Sequence, residues 1–371
     1  MSEQVSPGNT GPDQPLPSPE TSVEEMDVRD GLVNAHPRPP SREEVHLLEP
    51  KVHTLEDGQG LTAHSLGLSA EQDTNLLASF RSVIINETNR VAGDMIQVYS
   101  GNAAAGTPPL HFSILRDYFM PYDNRIKDES SQTIESKVGA HGPHLVRLYF
   151  KYVHPVYCAI SKVRFLRAYR EDKLSIPASL RGVIYGLGAV YWHQDPGLRT
   201  IPRPFEQYEL FQSAQASLER ELEGPNLWKM QACLLMLHEK AAVNSTFETP
   251  RTWTLSAQAV ACAQMIGLHR DPSDWNIGPW EKSLRKKLWW ATYVTDMWSS
   301  VSHGNPPHIY RASYTTSNLD MDDLRFDEDV PTDLRDMVDV TSASFDVATG
   351  ARFLELVRLT QILHHLLDAA L

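Results

Sequence analysis

"WTLSAQAVACAQMIGLHRDPSDWNIGPWEKSLRKKLWWATYVTDMWSS", residues 253–300, reads as helix, stop and helix. The first part is alanine-rich with helical periodicity. Gly267 stands where a left-handed C-cap belongs, and Leu268 can make the hydrophobic contact that accompanies such a cap. "DPSD" continues as a turn. Pro279 suits a first helical turn, and Glu281 suits the positive end of the helix dipole. Leu284, Leu288, Ala291, Thr295 and Trp298 then recur three or four residues apart. Trp289 and Trp290 are successive, which fits a helix packed on several sides. Asp296 sits in the apolar part, where a carboxylate must be paired. The expected partner is a basic residue of the same helix or of the 269–271 loop.

The same letters spell a decoy. His269-Arg270-Asp271 with Asn276 matches the protein-kinase catalytic loop H-R-D-x-x-x-x-N. The chain has no glycine-rich loop after a strand, no V-A-I-K, no D-F-G and no A-P-E. His269, Arg270 and Asp271 are instead expected to cap the helix over 252–267 and to tie its loop to Asp296 or Arg285.

Outward from this stretch the pattern stays helical. "SLRGVIYGLGAVYWHQ" is almost wholly apolar and predicts a buried helix over 179–192, with Gly182, Gly186 and Gly188 permitting close approach. Amphipathic segments follow at 204–223, 226–243, 252–267 and 279–301. "HLVRLYFKYVHPVYC" predicts a helix that Pro155 kinks or interrupts. Residues 304–345 are polar and irregular, and a last helix starts near 348. A helix is also expected around 70–96, and residues 97–140 read as a mixed linker with one apolar stretch, "LHFSILRDYF". No alternating strand pattern stands out. The fold class is all-α, a multi-helix domain with a disordered acidic, proline-rich N-terminal segment. The expected division is a disordered segment at 1–65, short helices and linker at 66–140, and the helical domain at 141–371.

Charge and cysteines narrow the function. The chain of 371 residues carries 34 Lys and Arg against 47 Asp and Glu, a net charge of −13. Residues 1–60 alone account for −8 and hold nine of the 25 prolines, too little apolar surface to offset chain entropy. An acidic chain is a poor nucleic-acid binder by itself, and the one dense basic cluster is Lys282, Arg285, Lys286 and Lys287. Cys158, Cys233 and Cys262 are scattered, which indicates buried core residues in a reducing compartment rather than a zinc site. No signal peptide and no membrane span is read. "DMDDLRFDED", residues 320–329, approximates the D-D-x-x-D magnesium motif of all-α isoprenoid synthases with one spacer too many, and reads as a solvated acidic loop. The adjacent His364 and His365 point about 100° apart on a helix and cannot chelate one ion. His303 and His308 flank a Pro-Pro turn and suit surface or capping roles.

The run from Trp253 to Ile309 strongly resembles the central regulatory domain of fungal binuclear-zinc-cluster transcription factors, the middle homology region. The carriers are Gly267-Leu268-His269-Arg270, Leu288-Trp289-Trp290, Asp296 and Gly304-x-Pro306, in that order. Upstream, Tyr149-Phe150, Val153-His154-Pro155 and Phe165 resemble the family's opening helix. The resemblance covers roughly 143–371, with the xylanolytic and nitrogen-catabolism activators as the nearest subgroup. It implies a nuclear regulator of RNA polymerase II transcription that works by effector- or partner-dependent conformational change and is not an enzyme. It marks His269, Arg270, Asp271, Arg285, Trp289, Trp290 and Asp296 as structural or regulatory residues.

Two departures accompany the resemblance. Family members usually bind two zinc ions in an N-terminal six-cysteine cluster, which this chain does not contain, so no cofactor is expected in it. The family's Gly-Arg-Pro turn reads Gly304-Asn305-Pro306, one charge fewer. The domain is read as truncated at its C-terminus. DNA is then reached through a zinc cluster outside this chain or through a partner factor. A homo- or heterodimer and a small-molecule inducer are the other implied partners; the helices at 179–192 and 284–298 read first as core and only second as the walls of a pocket. A DNA-independent co-regulator or dimerisation module is the alternative. A magnesium-dependent isoprenoid-synthase-like enzyme is the second alternative.

Overall fold

The computed structural model describes residues 54–56, 61–67, 90–91, 95–102, 104, 106–116, 121–239 and 250–370. Four antiparallel strands come first: β1 (Leu61–Ser65), β2 (Arg90–Val91), β3 (Met95–Tyr99) and β4 (Leu110–Arg116), in the order β1-β4-β3-β2. Leu61 pairs with Arg116 and Met95 with Ser113, which sets the register on both sides of β4. The sheet departs from the expected mixed linker. Its signal lies in Leu110, Phe112 and Ile114, a period of two that buries all three on one face.

The helices are α1 (Pro121–Val138), α2 (Gly142–Leu148), α3 (Lys162–Asp172), α4 (Ala178–Ala189), α5 (Gln207–Glu221), α6 (Leu227–Met236), α7 (Pro250–Met265), α8 (Pro279–His303), α9 (Met321–Arg325) and α10 (Val347–Ala370). The chain is therefore mostly helical, as its periodicity predicts. After α2 the chain makes a π-helical turn, Tyr149–Val153, and leaves the helix before Pro155, which has no N–H to continue it. The helix expected around 70–96 falls mostly outside the described residues, and its described end, 90–91 and 95–96, is strand. Residues 54–56 and 61–65, assigned by composition to the acidic segment, belong to the folded body. Leu55 and Ala63 are buried with the sheet, so local charge content is outweighed by burial.

Two helices act as hubs. All twelve residues of α4 are buried, and α1, α2, α5 and α6 pack on it. A Cβ on Gly186 would lie 2.7 Å from the Phe211 ring, and one on Gly188 would clash with the Leu145 carbonyl oxygen. Helix α8 is the second hub, contacted by α6, α7, α9 and α10. Helix α6 touches both hubs, which agrees with the reading of 179–192 and 284–298 as core rather than as the walls of a pocket. Among the described residues no helix is long and apolar enough to cross a membrane.

The helix stop at Gly267 joins sheet and helices. Gly267 has φ +75°. Its N–H donates to Gln264 at 3.0 Å and that of Leu268 to Ala263 at 2.8 Å, the two bonds of a Schellman cap. A Cβ there would meet the Phe112 ring at 2.8 Å. Gly304 ends α8 in the same left-handed way, at φ +67°, with nothing within 4 Å of its Cβ position. Both Gly→Ala changes incur the left-handed penalty, about 1–2 kcal/mol. Gly267→Ala also overpacks the sheet, by about 1–3 kcal/mol more. Urea unfolding of the two variants is expected to rank Gly267→Ala as the more destabilised.

Candidate functional site

Helix α8 carries charge into the core, and the residues that neutralise it form the site. Glu281, Arg285, Lys286, Lys287 and Asp296 are all buried. A charge in such a place must be paired and hydrogen-bonded. Arg285 and Glu281 pair within the helix, and Lys286, Lys287 and Asp296 find their partners on the segment that follows it.

Arg285 holds the N-terminal end together. Its Nε donates to Glu281 at 2.8 Å and its Nη1 to the Ile266 carbonyl at 2.7 Å, a free carbonyl at the end of α7. Its guanidinium lies 5.8 Å from the Phe112 ring and 5.5 Å from the Trp275 ring, on the sheet side. Glu281 also accepts from the Thr54 hydroxyl at 2.5 Å and the Leu55 N–H at 3.1 Å. Glu56 approaches Arg285 at 3.7 Å and accepts from the Leu227 N–H at 3.3 Å. Burial pushes the Glu56 carboxyl up to about 7, against the pull of Arg285 and with a push from Glu281.

The 268–278 loop covers the sheet. Trp275 and Ile277 are buried with Phe112 and Ile114, and the Asn276 N–H donates to Val98 at 2.8 Å. His269, Arg270 and Asp271 do not cap α7, since Arg285 reaches Ile266 and leaves them another task. Asp271 accepts from the Ser273 N–H at 3.2 Å, the Ser273 hydroxyl at 2.7 Å and the Ser317 hydroxyl at 3.2 Å. The His269 carbonyl accepts from the Thr315 N–H at 2.8 Å. Burial first, and Arg270 second, push the His269 imidazole down to about 4. His269 and Asp271 therefore stitch the loop to residues 315–317, while Arg270 Nε donates to His269 Nε2 at 3.4 Å. No catalytic loop is formed, because Asp271 is occupied by the turn that follows it.

Asp296 is not tied to Arg285 or to the 269–271 loop. Arg285 lies eleven residues back on the same helix, about 16 Å away at 1.5 Å per residue. The Asp296 carboxylate accepts from the His308 and Ile309 N–H groups, both at 2.9 Å, and meets His308 Nδ1 at 2.6 Å. It thereby receives the chain after the Gly304 stop, with His308 against Trp253 at 4.1 Å between centroids. Asn305, at the departure from Gly-Arg-Pro, donates its N–H to Ser300 at 3.2 Å and accepts from the Ser300 hydroxyl.

Trp289 and Trp290 are both buried and meet Tyr314 at 5.3 and 5.9 Å. Trp290 donates to the Ser317 carbonyl at 2.9 Å. Tyr293 pairs with His364 Nδ1 at 2.8 Å, which fixes α10 on α8.

The acidic stretch 320–329 supplies partners rather than metal ligands. Asp320 and Asp323 form a capping box on α9, and Asp323 also takes Lys286. Asp327, in the left-handed region at φ +64°, caps α3 by accepting from the Arg164 N–H at 3.1 Å and from the Ser161 hydroxyl. Glu328 is buried among His154 at 2.9 Å, Lys162 at 2.8 Å and Lys287 at 3.2 Å. Burial would raise the Glu328 carboxyl, but His154, Lys287 and Lys162 more than offset this and hold it well below the usual carboxylate range. Burial pushes the His154 imidazole down, against the pull of Glu328. Among the described residues no group of three His, Cys, Asp or Glu side chains is placed to hold a metal ion. Burial raises the three thiols, Cys158 and Cys262 each to about 11.

Beside Glu328 lies a cavity of about 160 Å³, walled by Phe150, His154, Lys162, Leu324, Ser342 and Phe345 among others. Sequence reasoning missed it together with Glu56, Lys162 and Glu328, and it read Glu281 only as a helix-dipole residue and His154 only as a mark of resemblance. The local signal was an unusual density of charge in apolar runs, such as Lys286-Lys287-Leu288-Trp289-Trp290.

The fungal specific transcription factor domain family matches residues 146–371. An uncharacterized transcriptional regulatory protein of Schizosaccharomyces pombe is 27% identical over 250 residues, covering 67% of this chain and 35% of its own length. Transcriptional activator protein DAL81 of Saccharomyces cerevisiae is 29% identical over 216 residues, 58% of this chain and 22% of the activator. Cutinase transcription factor 1 alpha of Fusarium vanettenii is 28% identical over 190 residues, 50% of this chain and 20% of that factor. The chain thus spans about a third or less of the length of these relatives. No solved structure matches the chain.

Two outcomes follow from the geometry. Because the folded Glu56 carboxyl sits near 7 against an ordinary 4.5, its contribution is fully present below pH 4.5 and is lost as pH rises through 7. Glu56→Gln is expected to flatten this part of the stability profile. Relative to the parent chain it should gain up to about 3 kcal/mol at pH 8, at about 1.4 kcal/mol per pKa unit, as read by urea unfolding from pH 5 to 8. Asp271→Ala is expected to lower stability by about 0.5–2 kcal/mol in urea unfolding, through loss of its bonds to Ser273 and Ser317.

Proposed function

The chain belongs to the fungal specific transcription factor domain family, and from that premise we propose that it is the regulatory body of a nuclear transcription regulator. The family match over residues 146–371 carries this reading. Three relatives named as a transcriptional regulatory protein, a transcriptional activator and a transcription factor support it. The regulator acts on RNA polymerase II transcription by presenting or withholding a surface, biased by an effector or a partner protein.

Electrostatics favours a body that does not itself grip DNA. Duplex binding needs free Lys and Arg to displace counterions. Three of the four residues of the one dense basic cluster of the sequence are spent inside the fold, and the half-buried Lys282 is tied to the loop beside them. Lys282 donates to the Ser273 carbonyl at 2.8 Å, Arg285 pairs with Glu281, Lys286 with Asp323 and Lys287 with Glu328. DNA is then reached through a zinc-cluster module outside residues 1–371 or through a partner factor. The same occupied lysines also suit the second reading, a DNA-independent co-regulator recruited by another factor.

Tethering the chain to a heterologous DNA-binding domain in a fungal reporter strain tests the regulator reading. Reporter output is expected to differ at least severalfold from that of the DNA-binding domain alone. Equal output with and without the chain under every nutrient condition would count against it. The isolated chain should bind duplex DNA no better than weak non-specific binders, with Kd at or above about 10⁻⁴ M at physiological salt.

A further inference from the structure

Residues 54–56 lie as a short strap against the start of α8. The Thr54 hydroxyl donates to Glu281 at 2.5 Å, and the Leu55 N–H donates to the same carboxylate at 3.1 Å. Leu55 is buried with Phe112, Trp275 and Ile277. Glu56 approaches Arg285 at 3.7 Å and accepts from the Leu227 N–H at 3.3 Å. Its own N–H donates to the Thr54 oxygen at 3.0 Å. The strap is thus held by one hydroxyl proton, one leucine and one carboxylate, and Thr54 is its half-buried end.

This arrangement depends on the Thr54 hydroxyl keeping its proton. Glu281 holds Thr54 only by accepting from it. A phosphate ester on the same oxygen has no such proton to give, and it carries a charge of about −1.5 to −2. It would stand beside two acids, Glu281 and Glu56. Arg285 is 1% exposed and already serves Glu281 and the Ile266 carbonyl. Arg164 rests on the Trp280 ring at 3.8 Å. Like-charge repulsion and desolvation then act together against the docked strap.

The sequence at this point reads Thr54-Leu55-Glu56-Asp57, with acids two and three residues after the hydroxyl. It belongs to a stretch, 1–60, whose net charge is −8. A kinase with a basic peptide cleft is drawn to such a stretch, and a cleft built for basic peptides is repelled by it. The charge that attracts the first kind of enzyme is the charge that makes a phosphate unwelcome once the strap returns to Glu281.

We propose that Thr54 is a phosphorylation site for an acid-directed protein kinase, and that its phosphate releases residues 54–56 from the Glu281–Arg285 pair. The γ-phosphoryl group of ATP moves to Thr54 Oγ1. The new P–O bond replaces the bond from the γ-phosphorus to the β,γ-bridging oxygen, ADP leaves with that oxygen, and the hydroxyl proton passes to the kinase's catalytic carboxylate. The kinase meets Thr54 in the undocked strap, because in the docked strap the hydroxyl is turned to Glu281. Release takes two donors from Glu281, takes Glu56 from Arg285 and uncovers the sheet cluster where Leu55 lay. What release does to transcription rests on the regulator reading above; the phosphate transfer does not.

The whole chain is incubated with magnesium, ATP and casein kinase 2 as the acid-directed kinase, with a kinase of basic peptides as the control. Peptide mapping by mass spectrometry should place phosphate on Thr54 with the first enzyme and not with the second, and Thr54→Val should remove it. Leu55→Ala loosens the docked strap and should speed transfer to Thr54 by about tenfold or more, given what a buried leucine contributes. The same change in a synthetic peptide of residues 50–60 should leave the rate as it was. Hydrogen exchange over residues 54–56 should become about tenfold faster or more after phosphorylation, the worth of a hydrogen bond to a charged group. The proposal fails if Thr54 of the chain takes no phosphate, or if Leu55→Ala leaves the rate unchanged. It also fails if phosphorylated residues 54–56 keep or gain protection, which would mean that Arg285 or Arg164 captures the phosphate. An unmodified Thr54 would leave the tethered-reporter result standing, and a silent reporter would leave the phosphate transfer standing.

Discussion

Arg285 is the constraint on which the arrangement depends. A guanidinium that is 1% exposed cannot shed its charge, so its surroundings must supply the acceptors. It draws in Glu281 from its own helix, the last free carbonyl region of α7 at Ile266, and Glu56 from the N-terminal stretch. The aromatic rings of Phe112 and Trp275 lie 5.8 and 5.5 Å from it. Sheet, helix stop, loop and residues 54–56 therefore converge on the Glu281–Arg285 pair. The Gly267 cap fits this node because only a residue without Cβ leaves room for Phe112.

The rest of α8 repeats the logic along its length. Lys286 and Lys287 recruit Asp323 and Glu328, and Asp296 recruits the backbone of His308 and Ile309. The irregular stretch 304–345 is placed by these pairings more than by its own secondary structure. Buried charge confers such placement at a desolvation cost. Glu328 is the best connected of these groups, since it meets residues of α3 and α8 and the end of the π-helical turn.

The helices were legible because their signals are local. Helix α4 showed as an unbroken apolar run, and α7 and α8 showed through periodicity with Gly267 and Pro279 as punctuation. The sheet was not, although Leu110, Phe112 and Ile114 alternate, because β2 has two residues and β1 follows an acidic segment. The role of Asp296 was legible only in part. Its burial implied a partner, but the partner proved to be backbone reached through the Gly304 turn. The pairings of Glu56 and Glu328 span 229 and 174 residues of chain, and no local pattern announces them. The kinase-like letters at 269–276 illustrate the converse, since a short motif carries no chemistry without the geometry around it.

A double-mutant cycle between Arg285→Met and Glu281→Gln tests the node most directly, read by urea unfolding at pH 7. Each single change should cost about 3 kcal/mol or more, because it leaves an uncompensated buried charge or an unmet donor. The pair should couple by at least about 1 kcal/mol, so that the double variant is better than the sum of the singles. Singles that each cost less than about 1 kcal/mol and simply add would show that the helices and sheet are held in place without this interaction.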